Sequence, residues 1–475
     1  MPVKLVPELP PPRIPCNRSA TPTHHQPGKE PHMPFFASMT AAVLLAITAI
    51  ACAGNAGPHT VATEDAAAGP SHSDQAVEAP SPEQAGEALT HGGHDFAFDL
   101  YRRLADEEEG NIFLSPSSIR TALAMTWAGA RGGTEEQMSR VLRFNLPPQQ
   151  VHGHLAALLE DLNDPGTDEE GNPFYELAVA NALWGQAGYP FRDDFIALLD
   201  DRYGAGLHEV DFIRETEPSR QRINRWVEQQ THDRISNLMP EGSIMPETRL
   251  VLTNAIYFLG GWEHTFDDRH TRDAAFHLPD GRRIEVPTMQ QTERLRMMEE
   301  GELKVLELPY RGGEMAMLIL LPNGGDDDAQ PGKALERLEK AGKLTADNFR
   351  GWVERLRPRR VEVHLPRFSF TSEFGLNSTL AAMGMTDAFD PRRADFTGIA
   401  SVEELFISAV QHKAFVKVDE EGTEAAAATG IAVGVTAMPP PPTPFHVDRP
   451  FLFIIRHNES GEILFMGRVD EPVEE

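Results

Sequence analysis

Glu420 to Pro444 reads EEGTEAAAATGIAVGVTAMPPPPTP, and no other stretch of the chain constrains its architecture as tightly. It joins Leu405 to Val418 and Phe451 to Ile455, two runs whose β-branched and aromatic content predicts strands. A connection of this length inside a compact domain is functional or disordered. At period two, Thr423, Ala425, Ala427, Thr429, Ile431, Val433 and Val435 share one face, and Glu424, Ala426, Ala428, Gly430, Ala432, Gly434 and Thr436 share the other. The first face is uncharged and small or β-branched, as a strand needs if that side is to be buried. Small side chains matter because a strand entering an existing sheet must slide between neighbours already in contact. A short alanine helix or a plain linker is the competing reading. Gly430 and the β-branched tail would end such a helix early, and ten residues form a marginal helix alone.

The chain around this segment has 475 residues, 40% of them hydrophobic, and 43 Lys and Arg against 72 Asp and Glu. The formal charge of -29 is that of an acidic globular protein. With no basic cluster to interrupt it, the acidity argues against nucleic acid as a partner. Cys16 and Cys52 are the two cysteines, so everything after residue 94 lacks a disulfide, a zinc thiolate and a cysteine nucleophile.

Residues 1–38 are rich in Pro, His and Thr without periodicity, and Ala41 to Ala51 (AAVLLAITAIA) is apolar but too short to span a bilayer as a helix. The run suits the hydrophobic part of an export signal. Ala49-Ile50-Ala51-Cys52 resembles a bacterial lipoprotein cleavage site, which would make Cys52 the lipidated first residue of the mature chain and attach it to a membrane. A plain signal peptide is the alternative, and Met33 or Met39 is a candidate start. From Ala53 to His94, Ala, Gly, Pro, Ser, His and Glu predict a flexible tether, with His91 and His94 read as part of it. The expected organisation is an export segment over 1–52, a linker over 53–94 and one folded domain over 95–475. The expected location is the cell envelope, as a lipoprotein, or the extracellular space.

Within the domain, Phe96, Leu100, Tyr101 and Leu104 recur at helical spacing. A second helix is predicted from Pro116 to Gly129, with proline in its first turn. Thr134-Glu-Glu-Gln137 has the pattern of a capping box opening a third. Further helices are predicted at 149–163, 192–203 and 219–239. Strands are predicted at Tyr175 to Trp184, Leu250 to Phe258, Leu303 to Leu308, Met315 to Leu321, Arg360 to Phe370, Leu405 to Val418, Phe451 to Ile455 and Ile463 to Arg468. Helices early and strands late make this an α+β domain. The short signatures of hydrolases, zinc proteases and nucleotide-binding loops are absent, and Gly324 to Gly332 lacks the ligand spacing of a calcium loop. A dispersed Ser/His/Asp site is the enzymatic alternative these absences leave open; the expectation is a non-enzyme without metal or cofactor.

Seven motifs, in order, carry a resemblance to a known family: Asn111-Ile-Phe-Leu-Ser-Pro-Ser-Ser-Ile119, Asn254-Ala-Ile-Tyr-Phe-Leu-Gly-Gly-Trp262, Leu308-Pro-Tyr310, Asp395-Phe-Thr-Gly398, His412-Lys-Ala414, Glu420-Glu-Gly-Thr-Glu-Ala-Ala-Ala-Ala428 and Pro450-Phe-Leu-Phe453. From about Phe96 to Pro472 the chain resembles the serpins, inhibitors of serine proteases, and with its lipoprotein-like segment it reads as a bacterial member. The resemblance implies about nine helices around three β-sheets, with an exposed reactive-centre loop between a strand of the main sheet and a strand of a smaller one. It implies a suicide mechanism: the protease cleaves the loop, which inserts into the main sheet and traps the acyl-enzyme as a covalent 1:1 complex with a monomeric inhibitor. Glu420, Gly422, Thr423, Glu424, Ala425, Ala426, Ala427 and Ala428 match the inhibitory hinge. Ser115, Ser118, Asn254 and His412 match the family's polar cluster where the sheet opens, and Trp262 matches its tryptophan near the point of entry. The family's usual count from Glu420 places the scissile bond at Thr436-Ala437; Val435-Thr436 and Ala437-Met438 are alternatives. Small residues there suit elastase-like or subtilisin-like proteases. A non-inhibitory binding protein of the same fold is the alternative function.

Overall fold

A computed structural model describes residues 81–323, 330–402, 405–423 and 440–475. Nine α-helices lie among them: α1 (Pro82–Glu107), α2 (Pro116–Trp127), α3 (Gly132–Val141), α4 (Pro148–Leu162), α5 (Asp193–Tyr203), α6 (Thr216–Gln230), α7 (Ala334–Lys340), α8 (Ala346–Arg355) and α9 (Asn377–Ala382). The strands are β1 (Ile112–Leu114), β2 (Tyr175–Gln186), β3 (Leu207–Val210), β4 (Leu250–Gly261), β5 (Arg272–His277), β6 (Arg283–Glu300), β7 (Leu303–Pro309), β8 (Met315–Pro322), β9 (Arg357–Pro366), β10 (Phe368–Gly375), β11 (Ala409–Val418), β12 (Gly422–Thr423), β13 (Thr443–His446), β14 (Phe451–His457) and β15 (Ile463–Val469).

The main sheet runs β10-β11-β4-β2-β3, with β12 added to β4. The second runs β1-β15-β14-β8-β7-β6-β9-β13, with β5 on β6. Two of the three expected sheets are joined in this second one through β6, whose 18 residues serve different neighbours in turn. Its start pairs with β5, its middle with β9 and its end with β7. The inner faces of the two sheets meet over an aromatic core in which Phe113 stacks on Phe453 and Phe465. A larger cluster packs α1 and α2 against the main sheet.

Several boundaries differ from the sequence reading. The first helix begins at Pro82 with a capping box between Ser81 and Gln84, so residues 82–94 are its first half and not a tether. Gly92 and Gly93 misled because glycine disfavours helix interiors. A Cβ on Gly92 would lie 2.8 Å from the Arg143 carbonyl oxygen, and one on Gly93 would lie 2.7 Å from Glu462 Oε1. Glycine is there for close approach. His94 is buried and bonds the Gly461 carbonyl oxygen through Nε2 at 2.8 Å. In α3 the helix starts before Thr134, whose hydroxyl accepts from Asp395 N instead of capping. Gln137 likewise serves the backbone of Thr386 and Asp387. The predicted strand Arg360 to Phe370 is two strands in different sheets, parted at Arg367. The helix predicted to 239 stops at Gln230, followed by positive φ at His232, Asp233 and Asn237.

Candidate functional site

The main sheet is closed at one end and parted at the other. β11 runs parallel to β4 in register from Ala409 opposite Val251 to Ala414 opposite Ile256. Beyond that pair the two diverge, β11 continuing to Val418 against β10 alone. Into the far end of the opening comes β12, antiparallel to β4, with Gly422 opposite Gly261 and Thr423 opposite Gly260.

Residues 419–422 form the turn that delivers β12. Asp419 N donates to the Gly422 carbonyl oxygen at 2.9 Å, and Asp419 Oδ1 accepts from the amides of Glu421 and Gly422. The segment after β4 holds the turn from outside. Trp262 N donates to Glu421 O at 2.9 Å, Phe266 N donates to Glu420 O at 2.8 Å, and Trp262 Nε1 donates to Asp419 O at 3.0 Å. Thr271 Oγ1 donates to Glu420 Oε1 at 2.6 Å. Trp262 lies flat on Tyr310, with ring centroids 4.7 Å apart, and the buried Tyr310 hydroxyl bonds Thr423 Oγ1 at 2.7 Å. Thr423 is 2% exposed, so the first residue expected to enter the sheet has already done so. Gly422 is required at the threshold, where a Cβ would sit 2.2 Å from the Gly260 carbonyl oxygen.

Where the strands are still zipped lies the polar cluster. Ser115 caps α2, its Oγ accepting from Ser118 N at 3.3 Å and donating to Leu464 O of β15 at 2.6 Å. Ser115 N donates to His412 Nε2 at 3.2 Å, which leaves Nδ1 as the protonated nitrogen facing Asn254 Oδ1. Asn254 Nδ2 donates to Ser118 Oγ at 2.6 Å and to Asn181 Oδ1. His412 and Asn254 are paired residues of β11 and β4, so their hydrogen bond crosses the line of parting. Burial holds the His412 imidazole neutral, its pKa lowered to about 3. Ser115, Ser118, Asn254 and His412 thus form one network, while Trp262 belongs to the threshold.

Three contributors escaped the sequence reading. Asn181 joins the network because β2 sets it opposite Asn254, and Tyr310 and Asp419 join the threshold. Tyr310 stood in a quoted motif, but its partner Thr423 is visible only in three dimensions. Glu424, Ala425, Ala426, Ala427, Ala428, Thr436, Ala437 and Cys52 lie outside the described residues.

The model of the family described as Serpin (serine protease inhibitor) matches residues 91–472. The chain belongs to the serpin family. It is 42% identical to the leukocyte elastase inhibitor of Equus caballus over 395 residues, 82% of this chain and all of that one. Among solved structures it resembles uncleaved ovalbumin, with a TM-score of 0.71 and 31% identity over 81% of this chain and all of that one. It also resembles Serpin48 of the insect Tenebrio molitor, described as highly specific, with a TM-score of 0.70 and 32% identity over 81% of this chain and 98% of that one. The serpin fold, α+β with mixed sheets, is therefore that of this chain.

Proposed function

We propose that this serpin inhibits serine proteases of the elastase or subtilisin type as a suicide substrate. The observation that carries the reading is the parted sheet with Gly422 and Thr423 already paired at its mouth. The likeness to leukocyte elastase inhibitors and the small residues around Thr436-Ala437 support an elastase-like target. Serpin loop insertion is an established instance of strand addition, and the register fixes how it would proceed here. Each step that extends β12 pairs the next loop residue with the preceding residue of β4. Glu424, Ala425 and Ala426 would meet Leu259, Phe258 and Tyr257, which β11 does not reach. Ala427 is the first to need the seam unzipped, opposite Ile256, and Thr429 arrives opposite Asn254.

Both faces of the loop fit this path. Ala425, Ala427, Thr429 and Ile431 would line up with Phe258, Ile256, Asn254 and Leu252, whose side chains are buried on the core side. Ala428, Gly430 and Ala432 would pass on the other face beside Ala255, Thr253 and Val251. There α6 and the residues after it cover the sheet through Val227, Ile235 and Ile223. Thr429, the polar residue inside the apolar set, reaches the seam where Asn254 and His412 must separate, and its hydroxyl can take up their freed groups. Some fifteen inserted residues at roughly 3.3 Å each would carry the bound protease about 50 Å. At about 0.5 to 1.5 kcal/mol per net hydrogen bond, the new strand contributes on the order of 10 to 20 kcal/mol. That matches or exceeds the stability of a typical protein, about 5 to 15 kcal/mol, and so can distort the trapped protease.

The test is incubation with elastase and with subtilisin, read as an SDS-stable adduct of one protease per inhibitor. Clean loop cleavage without an adduct refutes the inhibitory reading and favours a binding function for the same fold. The proposal extends to an exported chain anchored through lipidated Cys52; a mature protein that starts at another residue rejects that part.

A further inference from the structure

We propose that Glu362, His364 and His446 bind a divalent transition-metal ion of the zinc type and so staple the strand that follows the reactive loop to its neighbour. β13 lies parallel to β9, with Pro444 opposite Glu362 and His446 opposite His364. Val361, Val363 and Phe445 point into the core, so alternation puts Glu362, His364 and His446 together on the outer face. The two imidazoles stack with centroids 3.9 Å apart and 13° between planes. Glu362 Oε1 lies 3.4 Å from His364 Nε2. One donor atom from each of the three side chains falls within 4.8 Å of the other two.

Two imidazoles and one carboxylate are a donor set for zinc, copper or nickel, whereas magnesium and calcium prefer oxygen ligands alone. Bonds of about 2.0 to 2.2 Å in a tetrahedral site need donors roughly 3.3 Å apart, so rotation of side chains on an open face closes the set, with water completing the shell. Burial, chiefly, and then the neighbouring His364 lower the His446 pKa against the opposing pull of Glu362 and Asp448, with Lys304 lowering it further.

β13 is a four-residue edge strand hydrogen-bonded, among the described strands, to β9 alone. It anchors the far end of the loop whose near end is β12. A metal bridge from His446 to Glu362 and His364 adds to that short ladder a link that a chelator removes. The effect on the loop rests on the inhibitory reading; ion binding does not.

The experiment titrates the full-length protein with zinc chloride by calorimetry, beside His364→Ala and His446→Ala, with thermal melts in chelator confirming that each variant is folded. Saturable binding of one zinc is expected at this site, weakened more than about tenfold in either variant. If His446→Ala does not fold, His364→Gln on the longer strand makes the same test. The chain has 18 histidines, so zinc binding that persists undiminished in both variants places the ion elsewhere and overturns the proposal, as does the absence of saturable binding. Zinc should also slow hydrogen exchange over residues 443–446 in the wild type and not in His364→Ala; unchanged exchange in the zinc-loaded wild type overturns the staple.

Discussion

A fully buried histidine stands in the paired seam between β11 and β4, where the proposed insertion would part the main sheet. Because burial lowers the pKa of His412 to about 3, the unfolded chain, with an ordinary value near 6.5, takes up the proton first. The stability that His412 contributes is therefore complete above about pH 6.5 and is lost as the pH falls toward 3, by about 1.4 kcal/mol per unit in that window. His94 and His152, each lowered to about 4 mainly by burial, act in the same direction. Urea unfolding between pH 4.5 and 6 should show a shallower pH slope for His412→Gln than for the wild type, by about one proton. Equal slopes would mean that His412 is not held neutral. At this scale the resemblance to a family picked out Ser115, Ser118, Asn254 and His412, but an asparagine at 181 in a strand carries no mark in sequence. Only the pairing of β2 with β4 makes it a partner.

At the scale of the element, the two-residue β12 would set the register of any strand that extends it on insertion. Continued along β4, that register assigns Thr429 to the polar cluster and Ala427 to the first zipped pair. Thr429→Val keeps the shape and removes the hydroxyl, leaving groups of Asn254 and His412 unpaired in the inserted state at a cost of about 1 to 3 kcal/mol. The expected outcome is slower trapping and a several-fold lower ratio of adduct to cleaved inhibitor, read on SDS gels. Ala427→Pro should abolish the adduct, since proline cannot donate to a central ladder. If Thr429→Val traps as efficiently as the wild type, the register or the role of the cluster is wrong. Gly422 belongs to the same argument: the alternation of small residues was legible in the sequence, while the need for glycine at 422 came from the backbone of Gly260 and Gly261 across the gap.

For the whole molecule, the uncut chain has its main sheet parted and the loop held at both ends, by β12 and β13. On the inhibitory reading, a cut at Thr436-Ala437 would free one end and allow the new strand. With the gain estimated above and a shift of about 2 to 4 °C per kcal/mol in a domain of a couple of hundred residues or more, the unfolding temperature should rise by tens of degrees. Thermal unfolding before and after limited proteolysis, with the cut mapped by mass spectrometry, measures this directly. A cleaved protein that melts where the intact one does would show that no strand was gained.

The sequence by itself determined the α+β class and most strands of both sheets, because these rest on local composition, alternation and chain length. Where local signals misled, a distant partner had the deciding contact. Gly92 and Gly93 read as linker but sit inside α1, where Arg143 and Glu462 leave no room for a side chain. Thr134 and Gln137 read as a cap but serve residues 386–395. The long β6, which joins two expected sheets, showed no clean alternation because its neighbours change along its length. Only the tertiary structure decided that Thr423 already lies under Tyr310, that Asn181 completes the polar network and that His364 faces His446. Strand register brings Asn181 to Asn254 and His446 to His364, and side-chain packing brings Tyr310 to Thr423, each between segments far apart in the chain; a hydrogen bond or a stacked ring leaves no period in either segment from which its partner could be read.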